Sequence, residues 1–173
     1  MGNKLIKVFE SSTGGVLYVG PLDFICEEGS LTKLEITSVM SCLPSISDKT
    51  QIMLRDEQNV KRENVYHCRL DDVVVRGSDN HILTIPMISS CCDWLKNKLE
   101  KGENVLVHCD QGIRRSPTIC TAFLMRYSEE LGGKDLGKLE DAFREMIRMK
   151  PNFEPAYLMN SLRDWEKKIR ERE

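Results

Sequence analysis

The residues best suited to chemistry lie together, in NVLVHCDQGIRRSPTICTAFLMRY, residues 104–127. Cys109 stands where an apolar run gives way to a short polar stretch, and Arg114 and Arg115 follow just beyond it. Gly112, near the middle of CDQGIRR, has no Cβ and permits a tight curl. A curl of that kind turns successive backbone N–H groups inward, making a concavity for an anion. Ser116 and Pro117 suit the N-cap and first turn of a following helix. The positive end of that helix would face the same concavity. Arg115 adds a planar fork that matches two phosphoryl oxygens. A field that binds a phosphate dianion also favours a thiolate over a thiol, and cysteines in such surroundings titrate at about 3.5–7.5. Cys109 is therefore expected to be a nucleophile aimed at phosphorus. The bland alternative is a core cysteine, since a cysteine five residues ahead of an arginine is by itself a weak signal.

Placing such a loop requires a buried strand before it and a helix after it. NVLVH (104–108) is a near-continuous apolar run, as expected of a strand covered on both faces. Residues 117–127 carry a helical pattern. Ligands of open α/β sheets bind beyond the carboxyl ends of strands, and that is where this loop falls. Further strands are predicted at 16–20, 37–42 and 65–70. Helices are predicted at 30–36 (capped by Ser30), 86–101 (Pro86 in its first turn), 136–150 (stopped by Pro151) and 156–171. Residues 45–63 read as a polar surface loop and 71–83 as a second loop. Strands alternating with helices predict an α/β fold: a mainly parallel twisted sheet flanked by helices, with the phosphate-binding loop between a buried strand and a helix.

The chain has 173 residues, 40% apolar and 30% charged, with a formal net charge of −2. These values fit one globular domain spanning 1–173, and the charge argues against a nucleic-acid footprint. No apolar run approaches the ~18 residues of a membrane span. The seven cysteines form no C-x-x-C pair, which argues against zinc and suggests a reducing, intracellular setting. MGN at the start makes Gly2 a candidate acyl acceptor, although Ile6 departs from the usual Ser or Thr. Membrane contact is expected only if Gly2 is acylated.

His108-Cys109-x-x-Gly112-x-x-Arg115-Ser116 resembles the signature of the cysteine-dependent protein tyrosine phosphatases, and most closely their dual-specificity branch. TICTAFLMRY resembles that branch's following helix, KPNFEPAYLMNSLRDWE its closing segment, and GGVLYVGPLDF its first strand. The resemblance runs from about residue 14 to 166. It implies a protein phosphatase acting on phosphotyrosine and on phosphoserine or phosphothreonine through a phosphocysteine intermediate, with no metal or cofactor. Cys109 would attack phosphorus. Asp110, Gln111, Gly112, Ile113, Arg114 and Arg115 would line the phosphate site, with Arg115 gripping its oxygens. Ser116 would assist the departing thiolate, and His108 would orient the cysteine.

The acid of the family lies roughly thirty residues ahead of the cysteine, which points to Asp79 in GSDNHIL; Asp72, and then Asp71, in LDD are the alternatives. Cys42 matches a position where some members carry a cysteine that pairs with the nucleophile on oxidation. Arg114 would either attract acidic substrate flanks or be solvated. The resemblance implies phosphorylated proteins as partners and a role in cytoplasmic signalling, with nuclear and membrane-associated locations left open. The rivals are a phosphatase of RNA 5′ ends, a phosphatase of phosphoinositides (against whose highly charged headgroups Asp110 in the loop argues mildly), and a phosphate-binding scaffold without activity.

Overall fold

A computed structural model describes residues 4–72 and 82–171. Five strands form one twisted sheet. They are β1 (Ile6–Glu10), β2 (Val16–Pro21), β3 (Ile36–Cys42), β4 (Val65–Cys68) and β5 (Asn104–Cys109), in the spatial order β1-β2-β5-β3-β4. β1 runs antiparallel to β2, and the other neighbours are parallel. The sheet is thus mainly parallel, as the alternating pattern predicted. β5 lies at its centre, and Val105, Leu106 and Val107 are fully covered, which explains the unbroken apolar run.

The period of two along the strands divides the core. Val105, Val107, Met40 and Cys42 face one layer of helices: α4 (Ile85–Glu100), α5 (Arg115–Tyr127), α6 (Leu139–Met149) and α7 (Leu158–Arg170). α5 is buried along nearly its whole length. Phe123 packs edge-on against Phe9, and the indole of Trp165 donates to the Ala122 carbonyl (3.0 Å). Leu106, Val39 and Ile36 face the other way, onto Ile25, Leu31 and Leu54. Short helices α1 (Leu22–Ile25) and α2 (Ser30–Lys33) contribute to that layer.

Several expectations need correction. β1 was not anticipated. Residues 45–63 are not a surface loop: they fold as α3 (Asp48–Ile52), a π-type turn (Met53–Glu57) and a 3-10 turn (Arg62–Asn64). Their average polarity hides three sparse anchors, Met53, Leu54 and Val60, all buried in the second layer. The buried Gln58 amide fastens the segment, accepting from Leu31 N–H (3.0 Å) and donating to the Ile25 carbonyl (2.8 Å). Ser30 does not cap α2; it is the first helical residue, Gly29 is the cap, and its hydroxyl donates to the Phe24 carbonyl. The last two helices begin two or three residues later than their patterns suggest. Gly2 and most of the loop expected at 71–83, including Asp79, lie outside the described residues. No helix among the described residues is long and apolar enough to cross a membrane.

Candidate active site

The parallel register brings three strand ends to one place. Pro21 of β2 lies beside Cys109, and Ser41 of β3 beside His108. From this carboxyl edge the chain curls through residues 110–114 and enters α5. Gly112 has φ +72°, and a Cβ there would stand 2.8 Å from the backbone carbon of Gly20. The curl is therefore pressed against the end of β2, where only glycine meets both the conformation and the space. The Leu22 N–H donating to the Asp110 carbonyl (3.0 Å) ties the loop to that edge.

Cys109 is buried, and its sulfur accepts a hydrogen bond from the Gly112 N–H at 3.2 Å. The Ser116 hydroxyl lies 3.2 Å away on the other side. Ser116 was expected to cap the helix. Instead α5 starts at Arg115, Arg114 occupies the cap position without a side-chain bond, and Ser116 is wholly buried against the sulfur. A serine inside the first turn presents its hydroxyl back toward the loop, which the cap reading missed.

Arg115 is 6% exposed. One nitrogen of its guanidinium, Nη1, donates to the Leu70 carbonyl at 3.2 Å, which fixes the fork. Its buried Nε–H finds no hydrogen-bond acceptor among the described residues, and the nearest carboxylate oxygen, Asp72 Oδ1, lies 3.6 Å off. A guanidinium held this way is prepared for an oxyanion. Arg114 turns outward and spans Asp72 (3.5 Å) and Glu154 (3.6 Å), both with exposed carboxylates. Exposed pairs of this length contribute little to stability. Asp110 and Gln111 are exposed on the loop, and the Ile113 carbonyl accepts from Glu154 N–H (3.1 Å), stitching the loop to the segment before α7.

His108 points to the opposite face of the sheet from Cys109. Its Nε2 lies 2.6 Å from the Ser41 hydroxyl and its Nδ1 3.3 Å from the Cys109 carbonyl. Burial, reinforced by the Arg115 charge and partly offset by the bond to the Cys109 carbonyl, pushes its pKa down to about 4. The ring is therefore neutral at neutral pH. Nδ1–H donates to the carbonyl and Nε2 accepts from Ser41, which pins the backbone from which the sulfur hangs.

Of the carboxylates considered as the acid, Asp72 stands at the mouth of the site beside both arginines, and the Tyr157 hydroxyl donates to the Asp71 carbonyl, anchoring the chain there. Cys42 pairs in register with Cys68, and all seven cysteines are free. Cys91 and Cys92 are core residues. Among the described residues no group of His, Cys, Asp and Glu could hold a metal ion. Sequence reasoning missed Ser41, Leu70 and Tyr157. Ser41 alone left a trace, as a polar residue in the apolar second half of β3, VMSC.

Comparison with known proteins follows the same lines. The family described as the dual specificity phosphatase catalytic domain matches residues 17–168. Human dual specificity protein phosphatase 16 is 32% identical over 104 residues, which is 53% of this chain and 15% of that protein. The tyrosine-protein phosphatase vhp-1 of Caenorhabditis elegans is 25% identical over 151 residues, 87% of this chain and 20% of that protein. The chain thus spans only a small part of these relatives. The fold is shared with human DUSP28 (TM-score 0.68, 18% identity, 98% of this chain and 97% of that one). It is shared equally with PTPMT1 in complex with PI(5)P (TM-score 0.67, 16% identity, 97% of each chain).

Proposed function

This chain belongs to the dual-specificity phosphatase catalytic-domain family, and from that premise we propose that it hydrolyses phosphate monoesters on proteins, both phosphotyrosine and phosphoserine or phosphothreonine, through a phosphocysteine. The observation that carries the reading is the Cys109 sulfur seated on the Gly112 N–H beside the buried, partly unsatisfied fork of Arg115.

The chemistry follows from that arrangement. The phosphoryl oxygens accept hydrogen bonds from the loop N–H groups and from Arg115, which grips them most strongly as charge spreads in the transition state. The sulfur of Cys109 attacks phosphorus, an S–P bond forms, and the ester P–O bond breaks. A carboxylic acid at the mouth protonates the departing oxygen. Asp79 and Asp72 are the candidates, and the position of Asp72 beside both arginines supports its candidacy. Water then attacks the phosphocysteine; the carboxylate takes its proton, phosphate leaves, and the Ser116 hydroxyl hydrogen-bonds to the thiolate as it reforms. His108 fixes the backbone throughout.

PTPMT1 was solved with a phosphoinositide, so a lipid headgroup is the rival substrate. Asp110 stands exposed on the loop and Arg114 is engaged by two carboxylates, so the rim offers little free positive charge to extra phosphates. A panel of phosphotyrosine and phosphothreonine peptides, PI(5)P vesicles and 5′-triphosphorylated RNA tests this directly, with Cys109→Ser as control. Hydrolysis of both peptides is expected. Turnover confined to lipid or RNA would overturn the protein-phosphatase reading, and turnover of none would support the scaffold.

A further inference from the structure

Lys150 follows α6, and no part of its side chain reaches solvent. Its ammonium has no hydrogen-bond partner among the described residues. A buried, unpaired ammonium is costly, so the fold must supply a countercharge or the group gives up its proton. Two backbone bonds tie the segment that begins at Lys150 to the phosphate-binding loop. Phe153 N–H donates to the Lys150 carbonyl (3.0 Å), and the next residue, Glu154, donates to Ile113 of the loop (3.1 Å). Burial pushes the Lys150 pKa down, and the groups that oppose this are the sulfurs of Cys109 and Cys120. Cys120 lies one helical turn beyond Ser116, and burial, reinforced by Cys109, pushes its thiol well above the usual range. Burial thus keeps Cys120 protonated, and the sulfur of Cys109 is the other group acting on the ammonium.

We propose that Lys150 is a positioning residue for the phosphatase reaction: its ammonium holds the Cys109 sulfur as the thiolate. The proposal rests on the reading of Cys109 as nucleophile. It divides the work between two cations. Arg115, on the loop, faces the substrate phosphate, and Lys150, sealed from solvent, cannot reach it. Among the described residues the other titratable groups around this sulfur are Cys42 on β3, kept protonated by its bond with Cys68 and by burial, Cys120 on α5, kept protonated by burial, and His108 on β5, kept neutral by burial. None supplies a positive charge, so Lys150 is the cation on the inner side.

The test is the pH dependence of alkylation of Cys109 by iodoacetamide, resolved from the other cysteines by peptide mass spectrometry, in the wild type and in Lys150→Met. Methionine keeps the length and removes the charge. An opposite charge within about 4–6 Å moves a titration by about one pH unit or more. The variant should therefore be alkylated about tenfold more slowly at pH values below both titrations, and as fast as wild type once the pH is high enough to ionise both. Superimposed profiles would overturn the proposal. Should Lys150→Met not fold, the reciprocal measurement decides: NMR titration of the labelled Lys150 side chain in the wild type and in Cys109→Ser. The lysine must titrate lower once the thiolate is gone, and an unchanged midpoint refutes the idea. Failure of the wild type to hydrolyse p-nitrophenyl phosphate would instead sink the phosphatase reading itself, so the two failures are distinguishable.

Discussion

Acidification should destabilise this protein through His108, by an amount that follows from its surroundings. The imidazole is fully buried, accepts from Ser41 at 2.6 Å and titrates at about 4 against an ordinary 6.5. Because the folded-state value is the lower one, the unfolded chain binds the proton more readily. The stabilisation is therefore intact above pH 6.5 and is lost as the pH falls from 6.5 toward 4. At about 1.4 kcal/mol per pH unit, the full loss is about 3 kcal/mol. Between about pH 7 and pH 5 the expected share is about 2 kcal/mol, or a fall of ~4–8 °C in Tm for a chain of this size. Carboxylates titrate in the same range, so the assay is a difference. Urea unfolding is followed at both pH values for the wild type and for His108→Gln, which keeps a polar group within reach of Ser41 but does not titrate. His108→Gln should be less stable than wild type at pH 7 and should lose about 2 kcal/mol less on acidification. Equal losses in the two proteins would refute the buried neutral ring, and with it the account of what holds the Cys109 backbone in place.

Other perturbations reach the site itself. Gly112→Ala puts a methyl 2.8 Å from the Gly20 backbone at φ +72°; strain alone should cost about 1–3 kcal/mol, and the displaced loop should lower kcat/KM by about 10², as steady-state kinetics with an aryl phosphate would show. Near-normal activity would mean that the loop does not need this curl. The acid is identified by leaving-group dependence: neutralising it should cost about 10² or more on a phenyl phosphate and far less on p-nitrophenyl phosphate. Asp72→Asn and Asp79→Asn, compared in this way, should show that pattern in one variant and not the other; flat behaviour in both would remove each from the role.

The parts of this molecule legible in the sequence are those set by local pattern. β5 announced itself because a strand covered on both faces must be apolar throughout, and the loop after it because glycine, two arginines and a helix start fall together. What stayed hidden depends on distant contacts. Ser41 and His108 lie sixty-seven positions apart and meet only because β3 and β5 pair in register. Lys150 ends the helix predicted at 136–150, and nothing near it in the chain says that it is buried. Met53, Leu54 and Val60 were masked by polar neighbours, because three anchors suffice to seat a segment whose mean composition is that of a loop. Ser116 was misread as a cap because serine before proline fits a helix start, whereas the helix begins two residues earlier than that cap implies, at Arg115.

The central claim is that the sulfur of Cys109 takes the phosphoryl group. Rapid acid quenching of the enzyme during turnover of p-nitrophenyl phosphate, followed by peptide mass spectrometry, tests it most directly. The account predicts a phosphoryl group on the peptide containing Cys109, on no other cysteine, and absent together with all turnover in Cys109→Ser. Undiminished hydrolysis by Cys109→Ser, or a phosphoryl group trapped on any other residue, would contradict it.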